Sequence, residues 1–287
     1  MSLDYLVIGH LTADVLPDGS VQPGGTAWYS ALAAWRLGLR VAIFTACAAD
    51  LDLAALPGEI ALHRVDAPHS TTFVNRYTGN ARSQWLQAVA PPLDLAGLPP
   101  AWHEAAIVHL GPVANELRLP VRFPGVLLGA TPQGFVRRWD AAGRVTAEPE
   151  RLAALDLAGV QVVVLSEEDV NGDEALLLPL LTGRIVVLTR AERGATLWDA
   201  GVRHEVRALP ATVVDPTGAG DVWAAAFLIA LHGGHSPVAA ARWACAAAAC
   251  AIEGMGITAL PTQAIVAARL RDDGEPRHAR NVLGVAT

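Results

Sequence analysis

The protein has 287 residues, enough for one large α/β domain or two smaller ones. Hydrophobic residues make up 52% and charged residues 17%, which excludes a disordered polypeptide and supplies a sizeable core. A formal net charge of −7 without any basic block argues against nucleic acid or an anionic membrane as partner.

All 21 basic residues are arginine. A protein without lysine cannot build a Walker-A phosphate loop, a pyridoxal-phosphate Schiff base or a lysine-dependent protein kinase site. Cys47, Cys245 and Cys250 lack a CxxC pair and have apolar neighbours, which reads as buried thiols in a reducing compartment rather than a zinc site. The longest uncharged apolar runs, Val222 to Leu231 and Trp243 to Ile252, fall short of the ~20 residues that span a bilayer. No basic start with an apolar run precedes Leu3, so the expected location is the cytoplasm.

In sequence order, Asp4 to Ile8 reads as a buried strand ending at Gly9, with Asp14 shortly after and a hairpin turn at Asp18-Gly19. Pro23-Gly24-Gly25 opens a helix whose apolar positions Trp28, Leu32, Trp35 and Leu39 keep helical spacing, with Gly38 placed to end it. Val41 to Phe44 is the next strand. Thr71 to Thr78 and Ala81 to Ala88 form a hairpin around Gly79-Asn80. A lone hairpin is marginal in water, so this one needs support. Together with the first hairpin it is expected to form a small lid, built from about residues 10–22 and 70–90.

Further on, Ile107 to Leu110, Val126 to Leu128, Val160 to Leu165 and Ile185 to Leu188 suit a parallel sheet covered on both faces and alternating with helical stretches. From Gly218 the pattern is helix after helix: Ala219 to Leu231, Pro237 to Ile252 and Pro261 to Arg271, followed by a polar tail. With no repeat, linker or low-complexity segment, residues 1–287 read as one α/β domain carrying a β lid.

The most informative stretch runs from Val213 to Asp221. Val213-Val214 reads as a short strand entering the glycine-flanked turn Asp215-Pro216-Thr217-Gly218-Ala219-Gly220, with an apolar helix after it. Small residues at a helix start let backbone N–H groups converge on an anion, which the helix dipole also favours. The plainer account is a tight turn with Asp221 as an N-terminal charge.

Asp215-x-Thr217-Gly218-Ala219-Gly220-Asp221 resembles the C-terminal signature of the ribokinase-like (PfkB) carbohydrate kinases, and other motifs follow in that family's order. Gly9 to Asp14 and Gly24-Gly25 resemble its substrate motif. Thr189-Arg190-Ala191-Glu192-Arg193-Gly194 resembles its T-x-G-x-x-G nucleotide loop, with Ala191 where glycine is usual. Val160 to Asp169 resembles its N-x-x-E region, with Ser166 and Asp169 at the two key places. The pattern is most similar to the small inositol-kinase-like members and covers roughly Tyr5 to Leu270.

The resemblance implies a three-layer α/β fold with a mostly parallel central sheet and a small β lid. It implies an ATP- and Mg²⁺-dependent kinase acting on a hydroxyl of a small sugar or cyclic polyol, with a nucleoside kinase or a catalytically impaired binding module as alternatives. Asp221 would take the acceptor's proton, and the N–H groups of Gly218, Ala219 and Gly220 would hold the transferring phosphoryl group. Asp14, Gly24, Gly25, Tyr29 and Gln133 would contact the acceptor. Thr189, Arg190, Gly194, Thr217, Gly218 and Gly220 would contact the nucleotide. Asp169 would reach the metal through water, and Asp215 would border a monovalent-cation site. The resemblance also admits a homodimer through the lid. Tyr29 stands where ribokinases carry a sugar-binding Asn, and its flat ring suits an inositol or hexose better than ribose.

Other signals carry bland readings. Gly254-Met255-Gly256-Ile257-Thr258-Ala259 has the glycine spacing of a dinucleotide site but follows an Ala-rich helix instead of a strand. His232 and His235 lack a third ligand, and His103-Glu104 lacks a second histidine. Trp28, Trp35, Trp223 and Trp243 hold helical core positions, while Arg76 and Arg82 read as a solvated hairpin face or as substrate contacts.

Overall fold

A computed structural model describes residues 3–78 and 81–274. The fold begins with β1 (Tyr5–Ile8), then β2 (Thr12–Val15), β3 (Val21–Gly24), α1 (Thr26–Arg36), β4 (Val41–Cys47) and β5 (Ala61–Asp66). The second hairpin is β6 (Thr71–Thr78) and β7 (Ala81–Ala88), with its Gly79-Asn80 turn outside the described residues. Next come β8 (Ile107–Leu110), β9 (Leu127–Ala130), α2 (Gln133–Val136), β10 (Arg137–Trp139) and β11 (Val145–Ala147). They are followed by β12 (Val162–Ser166), β13 (Ile185–Thr189), β14 (Ala195–Asp199), β15 (Val202–Val206), α3 (Ala219–His232), α4 (Pro237–Ala251) and α5 (Gln263–Asp272).

The large sheet has nine strands in the order β15-β14-β13-β12-β9-β8-β1-β4-β5. Every pairing from β13 to β5 is parallel, and the β13–β14 and β14–β15 pairings are antiparallel. Side chains alternate across it, as strand geometry requires. Tyr5 and Val7 point into one core with Ile43, Ile107 and Val164, while Leu6 and Ile8 point into the other with Phe44, Val108 and Leu165.

The first core is roofed by α1, α3, α4 and α5, whose alanine-rich faces let helices approach the sheet and each other closely. Trp28, Trp223 and Trp243 are buried there, and Trp35 packs against them from a half-buried position. The second core departs from the expected alternation of strands and helices. Short 3₁₀ turns at Pro100–Glu104, Pro149–Ala154 and Glu174–Leu180 cover it instead of α-helices. The nine prolines from Pro91 to Pro149, and Pro179 within the third turn, explain this, because each removes an N–H donor and clashes with a preceding helical turn.

A separate four-stranded sheet, β3-β2-β6-β7, stands on the carboxyl ends of the central strands. The β2–β3 turn closes through Leu16 N–H to Ser20 C=O at 2.8 Å, with Gly19 at φ 84°. His10 clasps this sheet to the body. Its Nε2 donates to Pro91 C=O at 3.0 Å, which leaves Nδ1 to accept from the Thr71 hydroxyl at 2.7 Å. Glu116, buried, accepts from the N–H groups of His10, Val113 and Ala114 and fixes the adjoining loop.

Sheet order reverses at β1, whose neighbours are β4 on one side and β8 on the other. In open α/β sheets such a switch point opens a crevice at the carboxyl ends of the strands. Here the crevice is floored by backbone: a Cβ on Gly9 would meet Gly111 O at 2.2 Å, so only glycine fits at that approach.

Candidate functional site

The helix α1 begins at this crevice. Gly25 caps it with φ 87°, a conformation that residues with a Cβ rarely adopt. Gly24 is held open for a different reason. A Cβ there would lie 2.3 Å from Asp14 Oδ2, so the bare backbone makes room for that carboxylate. Asp14 is buried at the end of β2 and accepts from the Thr12 hydroxyl at 2.8 Å.

One helical turn further along, α1 meets α3. The Ser30 hydroxyl donates to the backbone carbonyl of Asp221 at 3.1 Å. Residues 26 and 30 are about 6 Å apart along a helix axis, so α1 carries the Asp14 side of the crevice to the Asp221 side within one turn. Gln133, at the start of α2, donates to Thr26 Oγ1 at 2.8 Å and accepts from Arg137 at 2.9 Å. Arg137, which sequence reading did not single out, also donates to Val113 C=O and lies 5.5 Å over the Phe73 ring of the small sheet.

The loop before α3 is not entered from a strand. Val213 and Val214 are 61% and 51% exposed, and the N–H groups of Val214 and Asp215 bond Ile252 C=O at the end of α4. The sheet edge is already occupied by β15, so these valines find no strand partner. Gly218 caps α3 at φ 76°, and Ala219 N–H is taken by Pro216 C=O at 3.1 Å. The N–H groups of Gly218 and Gly220 have no acceptor among the described residues. A Cβ on Gly220 would meet nothing within 4 Å, so that side of the turn faces open space. Asp221 sits half-buried in the first helical turn beside these donors. Backbone donors at a helix start, with a carboxylate at their edge, are an arrangement that can receive an anion.

Tyr29 does not present its ring to the crevice as expected. It is 4% exposed, and its ring lies against the Gly218 backbone. Asp215 is likewise engaged internally: Oδ1 accepts from Thr217 N–H and Oδ2 from Gly256 N–H, each at 2.9 Å. Partial burial pushes its pKa up, but the hydrogen bonds from Thr217 and Gly256 outweigh this and hold it below the ordinary carboxylate value.

The remaining nucleotide-side residues form a braced loop. Arg190 is nearly buried and donates to Glu167 at 2.7 Å, to Glu174, and to the Thr196 hydroxyl at 2.8 Å. Its side chain is committed to the fold, in contrast to the nucleotide contact expected of it. The Thr189 hydroxyl bonds Leu165 C=O at 3.3 Å. Gly194, at φ 93°, lets the backbone turn beneath Val206, whose C=O a Cβ would strike at 2.0 Å. Asp169 turns back on its own 3₁₀ turn, accepting from Ser166 N–H and Oγ at 2.8 Å in a capping box.

The alternative motifs resolve simply. Gly254 to Ala259 follows α4 as a series of turns, and Arg76 stacks on Trp85 at 4.6 Å within the small sheet. The side chain of Arg82 lies outside the described residues. All three cysteines are buried free thiols, with Cys47 and Cys245 pushed up to about 11 by burial. Among the described residues no helix is long and apolar enough to cross a membrane.

Known proteins share this fold. The profile of the pfkB family carbohydrate kinases matches residues 154–263. The cytidine kinase of Thermococcus kodakarensis is 29% identical over 247 residues, covering 79% of this protein and 87% of its own length. A pyrophosphate-dependent ribokinase-family kinase, solved with a pyrophosphate analog and myo-inositol, superposes with a TM-score of 0.70 at 23% identity, covering 88% of this protein and 96% of its own length. The ribokinase of Arabidopsis thaliana, solved with ribose and ATP, gives 0.71 at 20% identity over 94% of this protein and 99% of its own length. Residues 154–263, which include the signature loop, thus match the pfkB family carbohydrate kinases, and the protein as a whole has the ribokinase-like fold of these structures.

Proposed function

We propose that the protein transfers the γ-phosphate of ATP to a hydroxyl of a small sugar or cyclic polyol. The observation that carries this reading is the α3 start. Two backbone donors without an acceptor among the described residues stand beside the Asp221 carboxylate, one turn of α1 away from the buried Asp14. In this reading Asp14 orients the acceptor by accepting from its hydroxyls. Asp221 takes the proton as the acceptor oxygen attacks phosphorus. The Gly218 and Gly220 N–H groups hold the charge on the transferring phosphoryl oxygens, a task that needs fixed dipoles more than covalent chemistry.

Mg²⁺ bound with the donor neutralises phosphate charge, and the protein has no lysine to share that work. The described residues contain no ready-made cluster of three metal-ligating side chains, which fits a metal held largely by substrate phosphates. Asp169, through water, and Asp215, beside a monovalent cation, are the carboxylates this reading assigns. Closure of the four-stranded sheet over the crevice would keep water from the donor. A homodimer through that sheet belongs to the same reading, since β3 leaves one edge unpaired among the described residues.

A nucleoside acceptor is the second reading. It is favoured by the cytidine kinase relative and by the withdrawal of the Tyr29 ring from the crevice, which removes the reason to prefer a six-membered ring. The deciding experiment is a donor-consumption assay over myo-inositol, fructose, ribose and cytidine, with ATP and with pyrophosphate as donors. Acceptor-dependent consumption of ATP is the expected result, and the preferred acceptor selects between the readings. Absence of acceptor-dependent consumption with either donor would overturn both.

A further inference from the structure

A line of buried polar groups runs beneath the site and plays no part in the chemistry above. Ser30 Oγ donates to the Asp221 carbonyl. The Tyr5 hydroxyl faces Ser30 and lies 2.6 Å from His109 Nδ1. His109 Nε2 in turn lies 3.2 Å from Thr131 Oγ1. Tyr5, Ser30 and His109 have no solvent exposure at all, and Thr131 has 7%.

These groups come from α1, β1, β8 and the loop after β9, so nothing in local structure requires them to meet. Burying them is unfavourable unless each finds a partner, and apolar residues of similar volume would fill the same space without that demand. Their strand partners are apolar: Tyr5 pairs with Ile107, and His109 with Val7. Burial pushes the His109 imidazole down to about 3 and the Tyr5 phenol upward, so the line consists of neutral dipoles near pH 7. What such a line adds over apolar packing is direction, because a hydrogen bond fixes distance and angle where apolar contact permits sliding.

Its two ends show what it directs. One end is the carbonyl of Asp221, in the first turn of α3, where a side-chain donor joins the helix's own hydrogen bonding and sets the rotation of that turn. The other end is Thr131, which opens the Thr131-Pro132-Gln133 segment, and Gln133 reaches Thr26 at the start of α1. We propose that Ser30, backed by Tyr5 and His109, is a positioning residue that aims the Asp221 carboxylate and couples it to the acceptor-side segment at Thr131. The proposal rests on the assignment of Asp221 as the base.

The test compares Ser30→Ala and Tyr5→Phe with the wild-type protein and with Asp221→Asn. Two quantities are measured: steady-state turnover of Mg²⁺-ATP with myo-inositol, fructose, ribose and cytidine, and hydrogen–deuterium exchange of the segment from residue 217 to 224. Misplacing a reacting group by about 1 Å costs up to ~10²-fold, so Ser30→Ala should lower kcat about tenfold or more while KM for ATP changes less than about threefold. Exchange at the first turn of α3 should rise about tenfold, with the second half of that helix unchanged. Tyr5→Phe should move both quantities the same way by less, since it leaves the Ser30 bond in place. Unchanged exchange and unchanged kcat in Ser30→Ala, with Asp221→Asn inactive, would overturn the proposal and spare the base. Full activity in Asp221→Asn would overturn the base itself, and the exchange comparison would still decide whether the line fixes that turn.

Discussion

The ring of Tyr29 lies directly beneath Gly218. A Cβ built on that glycine would meet the ring's Cγ and Cδ1 atoms at 2.4 Å. The contact joins the helix after Gly24-Gly25 to the loop before α3, and it is closed to any side chain at position 218. Gly218 also has φ 76°, which costs a residue with a Cβ about 1–2 kcal/mol. Gly218→Ala should therefore lower turnover by at least tenfold, through steric displacement and backbone strain together. Adding Tyr29→Ala should restore part of the loss, because it relieves the steric component alone. Undiminished turnover in Gly218→Ala, measured at saturating donor, would refute the role of this turn.

Asp221→Asn keeps size and hydrogen bonding but cannot take a proton. A positioned base contributes ~10²–10⁴-fold, so kcat should fall by that factor while ATP binding, followed by calorimetry, stays within a few-fold. Retention of most of the turnover would remove Asp221 from the mechanism.

Acceptor choice should depend on Asp14 and not on the Tyr29 ring. Tyr29→Phe is expected to leave the rank order of acceptors by kcat/KM unchanged, since the ring is buried against Gly218. Asp14→Asn should raise the acceptor KM by ~10–100-fold, the range for losing a charge-assisted hydrogen bond. A reordering of acceptors by Tyr29→Phe would restore that side chain to the substrate contacts.

Arg190 should matter for stability more than for the donor. Its side chain is 9% exposed, and its partners Glu167 and Glu174 are 31% and 37% exposed, so solvent screens part of each pair. Arg190→Met removes one cation from each carboxylate, leaving Glu167 with Arg193 and Glu174 with Arg203, and should cost about 1 kcal/mol in urea unfolding. KM for ATP should change less than threefold. A large rise in KM at unchanged stability would mean that the guanidinium reaches the donor after all.

Acid should expose the work of Asp215. Its carboxyl is held below the ordinary carboxylate value, so it contributes stability that is fully present above about pH 5. That contribution is lost as pH falls from about 4 through the folded value. The difference in urea midpoint between the wild-type protein and Asp215→Asn should be flat between about pH 5 and 8 and should narrow progressively as pH falls below about 4. A difference that widened on acidification would show that the carboxylate is not stabilised by Thr217 and Gly256.

Much of the architecture is written locally. The continuous apolar run of Tyr5 to Ile8 and the β-branched runs at Val162–Ser166 and Ile185–Thr189 announce strands, because both faces of each strand must match a core. Gly38, Gly218 and the turn at Asp18-Gly19 mark ends and turns, because positive φ is a property of one residue and needs no distant partner. The loop ending in Asp221 was legible for the same reason: small residues, a cap and an acidic first turn lie within nine positions. Where the sequence was silent, the outcome depended on partners distant in sequence. Val213 and Val214 have strand composition but no free edge, since β15 already closes the sheet. Tyr29 could face the crevice or the core, and only the packing of α3 against α1 decided for the core. His109 in the apolar run Ile107–Leu110 found Tyr5 and Thr131 as partners only when distant segments met. Periodicity, caps and turn chemistry are set by adjacent residues, so the sequence alone determined most of the strands, the α-helices α1 and α3 to α5, and the glycine turn before Asp221. Side-chain direction at α1 and the polar line beneath Asp221 arise from contacts between distant segments, so only the tertiary structure decided them.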